Sequence, residues 1–260
     1  MGQSPEKLPL FSGEHSHGRI VLAIAVQSDA SMKRLSFAFA FLVAVSAGAQ
    51  SFEIGPRVSN YSTHLDSDVL RLRTGRVSSY GLVGGYRSGA FVLDWLYDHD
   101  PENGISLSDI VLDVGEYTRD RGEVTIGFAA LPVLDLQGGV RLDQIRIGGV
   151  EFLGNPIATD MDIDHQALTA GVRFHSATNR PAGFYVLARG LIGTAKFRDV
   201  LHQEADTTGY RGEAGIPIRL GESNWFVVPG AEYEHIEAND VSFRMNTNRV
   251  FLNFVYSSKP

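Results

Sequence analysis

The 260-residue sequence contains no cysteine, which excludes disulfides, thiolate nucleophiles and cysteine-ligated zinc or iron–sulfur centres. It also lacks an excess of positive charge: 23 Lys and Arg stand against 30 Asp and Glu, for a formal net charge of −7. No basic field exists to neutralise phosphates, so nucleic acid is excluded as a partner. After Gln50 the chain has little helical spacing of apolar residues and no run long and apolar enough for a transmembrane helix. Glycine, by contrast, is abundant at 28 residues. Most of these fall inside alternating segments, where a strand must bend or let another chain approach closely.

The most specific local signal begins at Met32. Lys33 and Arg34 form a positive n-region, Leu35–Val45 an apolar h-region, and Ala47-Gly48-Ala49 a small-residue cleavage site before Gln50. The apolar run is far shorter than the roughly 20 residues of a membrane-spanning helix, so cleavage is expected rather than anchoring. Residues 1–31, including His15, His17 and the patch Ile20–Val26, precede a complete signal that has its own Met. They read as an unstructured extension from a start codon placed too early. The expected organisation is therefore 1–31 extension, 32–49 cleavable signal, and 50–260 a single domain.

In that domain the recurring period is two. Leu136, Val140 and Leu142 alternate with Gln137, Gly139, Arg141 and Asp143; Leu168, Ala170, Val172 and Phe174 oppose Thr169, Gly171, Arg173 and His175. Segments of this kind near 52–61, 78–87, 90–99, 122–132, 134–144, 165–175, 183–197, 208–219, 224–236 and 245–256 match the 9–11 residues of a tilted bilayer-crossing strand. Short links at Arg87-Ser88-Gly89, Pro132-Val133, Ser176–Ala182 and Gly221-Glu222-Ser223 take turns with longer polar ones near 62–77, 100–121, 145–164, 198–207 and 237–244. The expected fold is all-β: one closed, antiparallel, up-and-down transmembrane barrel of about ten strands. Ile105–Val114 also alternates, which leaves twelve strands or an extra hairpin open, and loss of two weak strands would leave eight.

Aromatics cluster near strand ends, among them Tyr80, Tyr86, Phe91, Trp95, Tyr97, Phe174, Phe184, Trp225, Tyr233, Phe254 and Tyr256, as interfacial girdles do. The polar face carries Glu53, Arg57, Arg87, Asp94, Asp98, Arg141, Asp143, Arg173, Arg189, Arg211, Glu213, Arg219, Glu232, Glu234 and Arg249. In a narrow lumen these large side chains of both signs predict a plugged interior rather than a wide pore.

With signal, alternation and girdles in place, Ser51–Tyr256 resembles the small bacterial outer-membrane β-barrel proteins, the group of the OmpA transmembrane domain and OmpX. Asn248–Tyr256 is similar to the C-terminal signal read by the barrel assembly machinery, although Ser257-Ser258-Lys259-Pro260 follows its aromatic. The resemblance implies a Gram-negative outer-membrane location with both termini periplasmic. It implies lipid and lipopolysaccharide as surroundings, a monomeric state, and an anchoring, structural or narrow porin-like role without enzymatic activity or cofactors.

One feature points elsewhere. His64, His99, His165, His202 and His235 fall near the long-loop ends of strands beside Asp66, Asp68, Asp98, Asp100, Asp160, Asp162, Asp164, Glu204, Asp206 and Glu234. Converging at one rim, such groups would bind a cation or activate water. That would make a rim-site hydrolase, omptin-like in architecture only, since no residue matches the omptin motifs. Asp160-Met161-Asp162-Ile163-Asp164 lacks the glycine and distal glutamate of a calcium loop, and Ser176 beside His175 lies in a short turn, so neither is assigned a role. A secreted lipocalin-like barrel for a small apolar ligand is the other alternative.

Overall fold

The computed structural model describes residues 50–66, 71–101, 103–106, 112–152, 155–158, 161–176, 182–198, 203–238 and 242–258. The chain divides into the units Met1–Gly48 and Ala49–Pro260. The export signal and the upstream extension lie outside the described residues.

Ten strands form the wall: β1 (Gln50–Asp66), β2 (Val77–Ser88), β3 (Phe91–His99), β4 (Leu112–Leu131), β5 (Leu134–Phe152), β6 (Met161–His175), β7 (Tyr185–Phe197), β8 (Gln203–Gly215), β9 (Trp225–Ala238) and β10 (Phe243–Ser257). Each pairs antiparallel with its neighbours in sequence, and β1 closes on β10 from Glu53↔Ser257 to Asp66↔Arg244. Closure leaves no unpaired edge along the wall. The described residues contain no helix.

At one end the links are tight. Gly89, with φ of 58°, turns β2 into β3, and Pro132-Val133 turns β4 into β5. Two interior glycines have a packing reason: a Cβ on Gly215 would lie 2.5 Å from the Tyr185 ring, and one on Gly230 would lie 2.2 Å from the Phe251 ring. Bare backbone at these points lets two bulky aromatics fold flat inside the wall.

At the other end the strands run further than the alternation predicts. β4 and β5 reach 20 and 19 residues, and short strands at Arg71–Arg73, Asn103–Ser106 and Asn155–Ala158 pair with the outer parts of β1, β4 and β5. The alternating stretch around Ile105 is thus a hairpin on the outer part of β4, not a further pair of wall strands. Pro217, which has no N–H to give the ladder, interrupts β8 after Gly215, and Ile218–Arg219 then pair again with Val227 and Phe226 of β9, up to the expected 219. Arg219 leaves the interior set: its Nε donates to the Ser223 carbonyl in the turn, 2.9 Å away.

Side-chain sidedness reverses along the strands. On the half nearer the short turns, the outward residues are apolar and exposed, such as Leu136, Val140, Leu168, Val172, Ile192 and Val250, while the inward ones are mostly charged, apart from a small buried cluster of Tyr185, Val228, Phe251 and Val255. Beyond that belt the inside turns apolar, with Ile145, Ile147, Ile163, Phe197, Ile236 and Met245 buried together. There the outside turns polar: Gln144, Arg146, Asp162, Gln166, Lys196, Glu237 and Arg244. Tyr80, Tyr210 and Tyr233, all exposed, lie close to the change.

Candidate functional site: the barrel interior

The middle of the lumen is filled by ion pairs. Asp98 of β3 meets three arginines, with Arg121 Nη2 and Arg249 Nη1 each 2.6 Å from Oδ2 and Arg57 Nε 3.4 Å from Oδ1. Glu232 of β9 lies 2.5 Å from Arg121 Nη1, 3.0 Å from Arg211 Nη2 and 3.3 Å from Arg57 Nη2. Asp143 and Glu234 share Arg119 at 2.9 and 2.8 Å, and both also bind Arg141. Glu123 holds Arg189 and Arg211. All of these side chains are buried, with Arg141 and Glu234 at 0 % exposure. Alternation alone puts them inside, because every charged partner sits at an even spacing from the next on its strand. Burial of so much charge is sustainable only because each group has several opposite partners.

Toward the long loops this layer meets the apolar cluster, and the junction is made by Tyr61, Tyr117 and Asp100. The Tyr61 hydroxyl donates to Asp100 Oδ2, and Arg249 lies 4.5 Å from the centre of the Tyr61 ring. Asp100 lies just past the end of β3, where burial pushes its carboxyl up to about 6.

Toward the short turns the lumen opens into a cavity of about 240 Å³. One side is apolar, formed by Phe226, Val228 and Val255 with Val83 and Leu96; the facing side carries Arg173, Arg189, Arg211 and Glu213. Arg173 pairs with Asp94 at 2.9 Å and sits 4.9 Å from the centre of the Tyr185 ring, whose hydroxyl donates to Glu213 at 2.6 Å. Arg87 and Asp135 pair at 2.6 Å near the mouth.

The residues expected to gather at one rim do not meet, because alternation sends them to opposite sides of the wall. Asp98, Asp100, Glu234 and His165 point inward. His99 and His235 lie on the outer surface, where His99 Nδ1 is 2.7 Å from Asp120 Oδ1 and His235 Nδ1 is 2.7 Å from Asn246 Oδ1. His64 shares that outer surface, opposite Asn246 in the ladder. Glu204 pairs outside with Lys196 at 3.3 Å, and Asp164 with Arg198 at 2.5 Å. Asp206 is exposed, and Asp162 lies 3.7 Å from Arg146. His202, Asp68 and Asp160 lie outside the described residues. Among the described residues no three such groups come together as a metal site.

His165 does form a chain that looks catalytic, with Nδ1 3.3 Å from Asp143 Oδ2 and Nε2 3.0 Å from Thr207 Oγ1. However, Thr207 is 2 % exposed and Asp143 is engaged by two arginines, so the hydroxyl has no substrate access and the imidazole no carboxylate of its own to orient it. Ser176 Oγ accepts from the Phe184 N–H at 3.0 Å, consistent with a turn role. Arg119, Arg121 and Glu123 escape the sequence reading because they precede or begin the strand expected at 122. An i, i+2, i+4 run of charged residues was the available signal.

Fold and interior define a closed ten-stranded up-and-down barrel with a filled lumen. No family model and no curated protein matches the chain. Solved structures do resemble it. The translocator domain of the autotransporter NalP from Neisseria meningitidis is 14% identical, with 80% of this chain and 88% of that one covered at a TM-score of 0.49. The outer membrane protease OmpT from Escherichia coli is 4% identical, covering 80% and 96% at 0.49. Neisserial surface protein A is 14% identical, covering 78% and 95% at 0.36. These are likenesses of barrel architecture, at identities too low to transfer a residue or a role.

Proposed function

We propose that this protein is a non-enzymatic outer-membrane barrel of a Gram-negative envelope, an anchor with a closed lumen whose polar outer rim meets the cell exterior. The reversal of sidedness along the strands carries this reading. A water-soluble barrel would face solvent with polar side chains throughout, whereas here Leu168 and Ile192 are 68% and 70% exposed over a charged interior. Lipid satisfies that belt, and a closed ladder leaves no backbone group unpaired within it. Where the belt ends, the outside becomes polar and the inside apolar, as a wall emerging into water requires. The short turns and both termini of the barrel domain then face the periplasm.

Outside the belt, Arg146, Lys196, Arg198 and Arg244 stand at the level where lipopolysaccharide phosphates lie, so that lipid is the expected neighbour. The aromatic end of β10 suits recognition by the assembly machinery, and nothing in the belt demands a second copy. A lipocalin-like ligand barrel is disfavoured by the exposed belt, and a hydrolase by the separation of the histidines onto two surfaces.

The test is heat-modifiable gel mobility of the detergent-extracted protein together with fractionation. A folded band that shifts on boiling and an outer-membrane fraction are expected. Recovery in the soluble periplasm overturns the reading. In planar bilayers, a large stable conductance would overturn the closed lumen.

A further inference from the structure

The cavity at the short-turn end is accounted for neither by an anchoring role nor by the packing of the lumen. Its walls differ in kind. Phe226, Val228 and Val255 present hydrocarbon, while the facing wall presents guanidinium groups and carboxylates held in place by ion pairs. Well-packed interiors leave few spaces larger than a water molecule, and about 240 Å³ is many times that. It is slightly below the roughly 300–1,000 Å³ typical of pockets for drug-sized ligands, which suits a molecule of amino-acid size.

Two polar groups set what that molecule must offer. Asn253, on the apolar side, is 6 % exposed, and its Oδ1 finds no hydrogen-bond donor among the described residues. A buried acceptor left this way loses its hydration without replacement and calls for a donor. Glu53, exposed at the mouth, accepts from the Ser257 hydroxyl and faces the charges of Arg173 and Arg87 without a direct ion pair among the described residues. Both ask for N–H. On the other wall, the Arg173 guanidinium makes one ion pair, to Asp94, and has donors left for an anion.

We propose that this vestibule binds a small zwitterion with an apolar side chain: an α-amino acid, or a short peptide of like character. The ammonium group meets Asn253 Oδ1, with the Glu53 carboxylate adding its negative charge from the mouth, the carboxylate meets Arg173, and the side chain lies against Phe226, Val228 and Val255. Entry is from the short-turn end, since the opposite end of the lumen is closed by the ion-pair layer and the apolar cluster. Only the statement that this mouth opens to the periplasm rests on the proposed membrane orientation.

Detergent-solubilised full chain, shown folded by its heat-modifiable band, is titrated calorimetrically with L-phenylalanine, phenethylamine and phenylacetate. L-Phenylalanine is expected to bind, with each of the two single-charge compounds at least tenfold weaker. Asn253→Leu is expected to weaken L-phenylalanine at least tenfold, and Val255→Phe, which narrows the cavity from its apolar side, to abolish it. If Asn253→Leu fails to give a heat-modifiable band, Val255→Phe alone decides. Absence of L-phenylalanine binding, equal binding of all three compounds, or titrations unchanged in the folded variants overturns the proposal. Failure of wild-type heat modification strikes at the membrane reading instead, so the two failures are distinguishable.

Discussion

The lower and upper halves of the same strands are built on opposite rules. On β5, Gln137, Arg141 and Asp143 point in while Leu136 and Val140 point out. A few residues later Ile145 and Ile147 point in while Gln144 and Arg146 point out. The backbone geometry does not change across this boundary; only the medium outside does. On the proposed membrane orientation, the side chains therefore record the position of the lipid edge more sharply than the strand ends do. The interior follows from this. Where the outside is lipid-facing and apolar, the lumen is held by charge pairing. Where the outside is wetted, the lumen is held by hydrophobic packing, as in a soluble protein.

The largest effect should come from breaking the lower half from within. Glu232→Ala leaves Arg57, Arg121 and Arg211 short of a common buried partner, and should cost about 3–5 kcal/mol in urea unfolding of the refolded barrel. A loss below about 1 kcal/mol would mean that the lumen is wetter than its burial indicates. Next comes the lower half from without. Leu168→Arg puts a cation in the belt beside Val140 and Ile192 and should cost about 2–4 kcal/mol in lipid. The same change on a water-facing wall would be near neutral, so a null result would remove the lipid from the comparison. In the upper half, Ile147→Ala opens a hole in the apolar cluster and should cost about 2–3 kcal/mol.

The lower half was largely legible in the sequence. Period-two runs, short turns at Gly89 and Pro132-Val133, and charge on one face located ten strands and much of the charged interior, with Arg119, Arg121 and Glu123 left out. The upper half was not, for a physical reason. When sidedness flips, the phase of alternation is unchanged but its chemical meaning inverts. A strand such as β5 thus reads as ending at Asp143–Gln144, where inward polar residues give way to Ile145 and Ile147, although it runs on to Phe152. The same inversion hid the fate of the histidines. His165 and His235 are both near strand ends, but their odd and even positions relative to inward neighbours, Asp143↔His165 in the ladder and Glu234 before His235, decide which side each occupies. The cavity was beyond reach, since it depends on how five or more strands tilt together.

The boundary between the halves can itself be titrated. Asp100 lies on it, facing Tyr61 from β1, Tyr117 and Arg119 from β4, Arg249 from β10 and Asp98 from β3. Burial raises its carboxyl to about 6, against the partial opposition of Arg249, Tyr61 and Arg119. A carboxyl raised on folding binds more protons in the folded state than in the unfolded one between about pH 4 and 6. Stability contributed by this group is therefore present below about pH 4, falls through that window, and is level above it. The size is about 3 kcal/mol over the whole window, of which about 2 kcal/mol falls between pH 4.5 and 7.5. Asp100→Asn keeps an oxygen for the Tyr61 hydroxyl but cannot ionise. Relative to wild type it should gain stability at pH 7.5 and little at pH 4.5, read as the difference in urea midpoints between the two chains. An equal difference at both pH values would show that Asp100 is ionised throughout, and that the edge between the charged layer and the apolar cluster admits water.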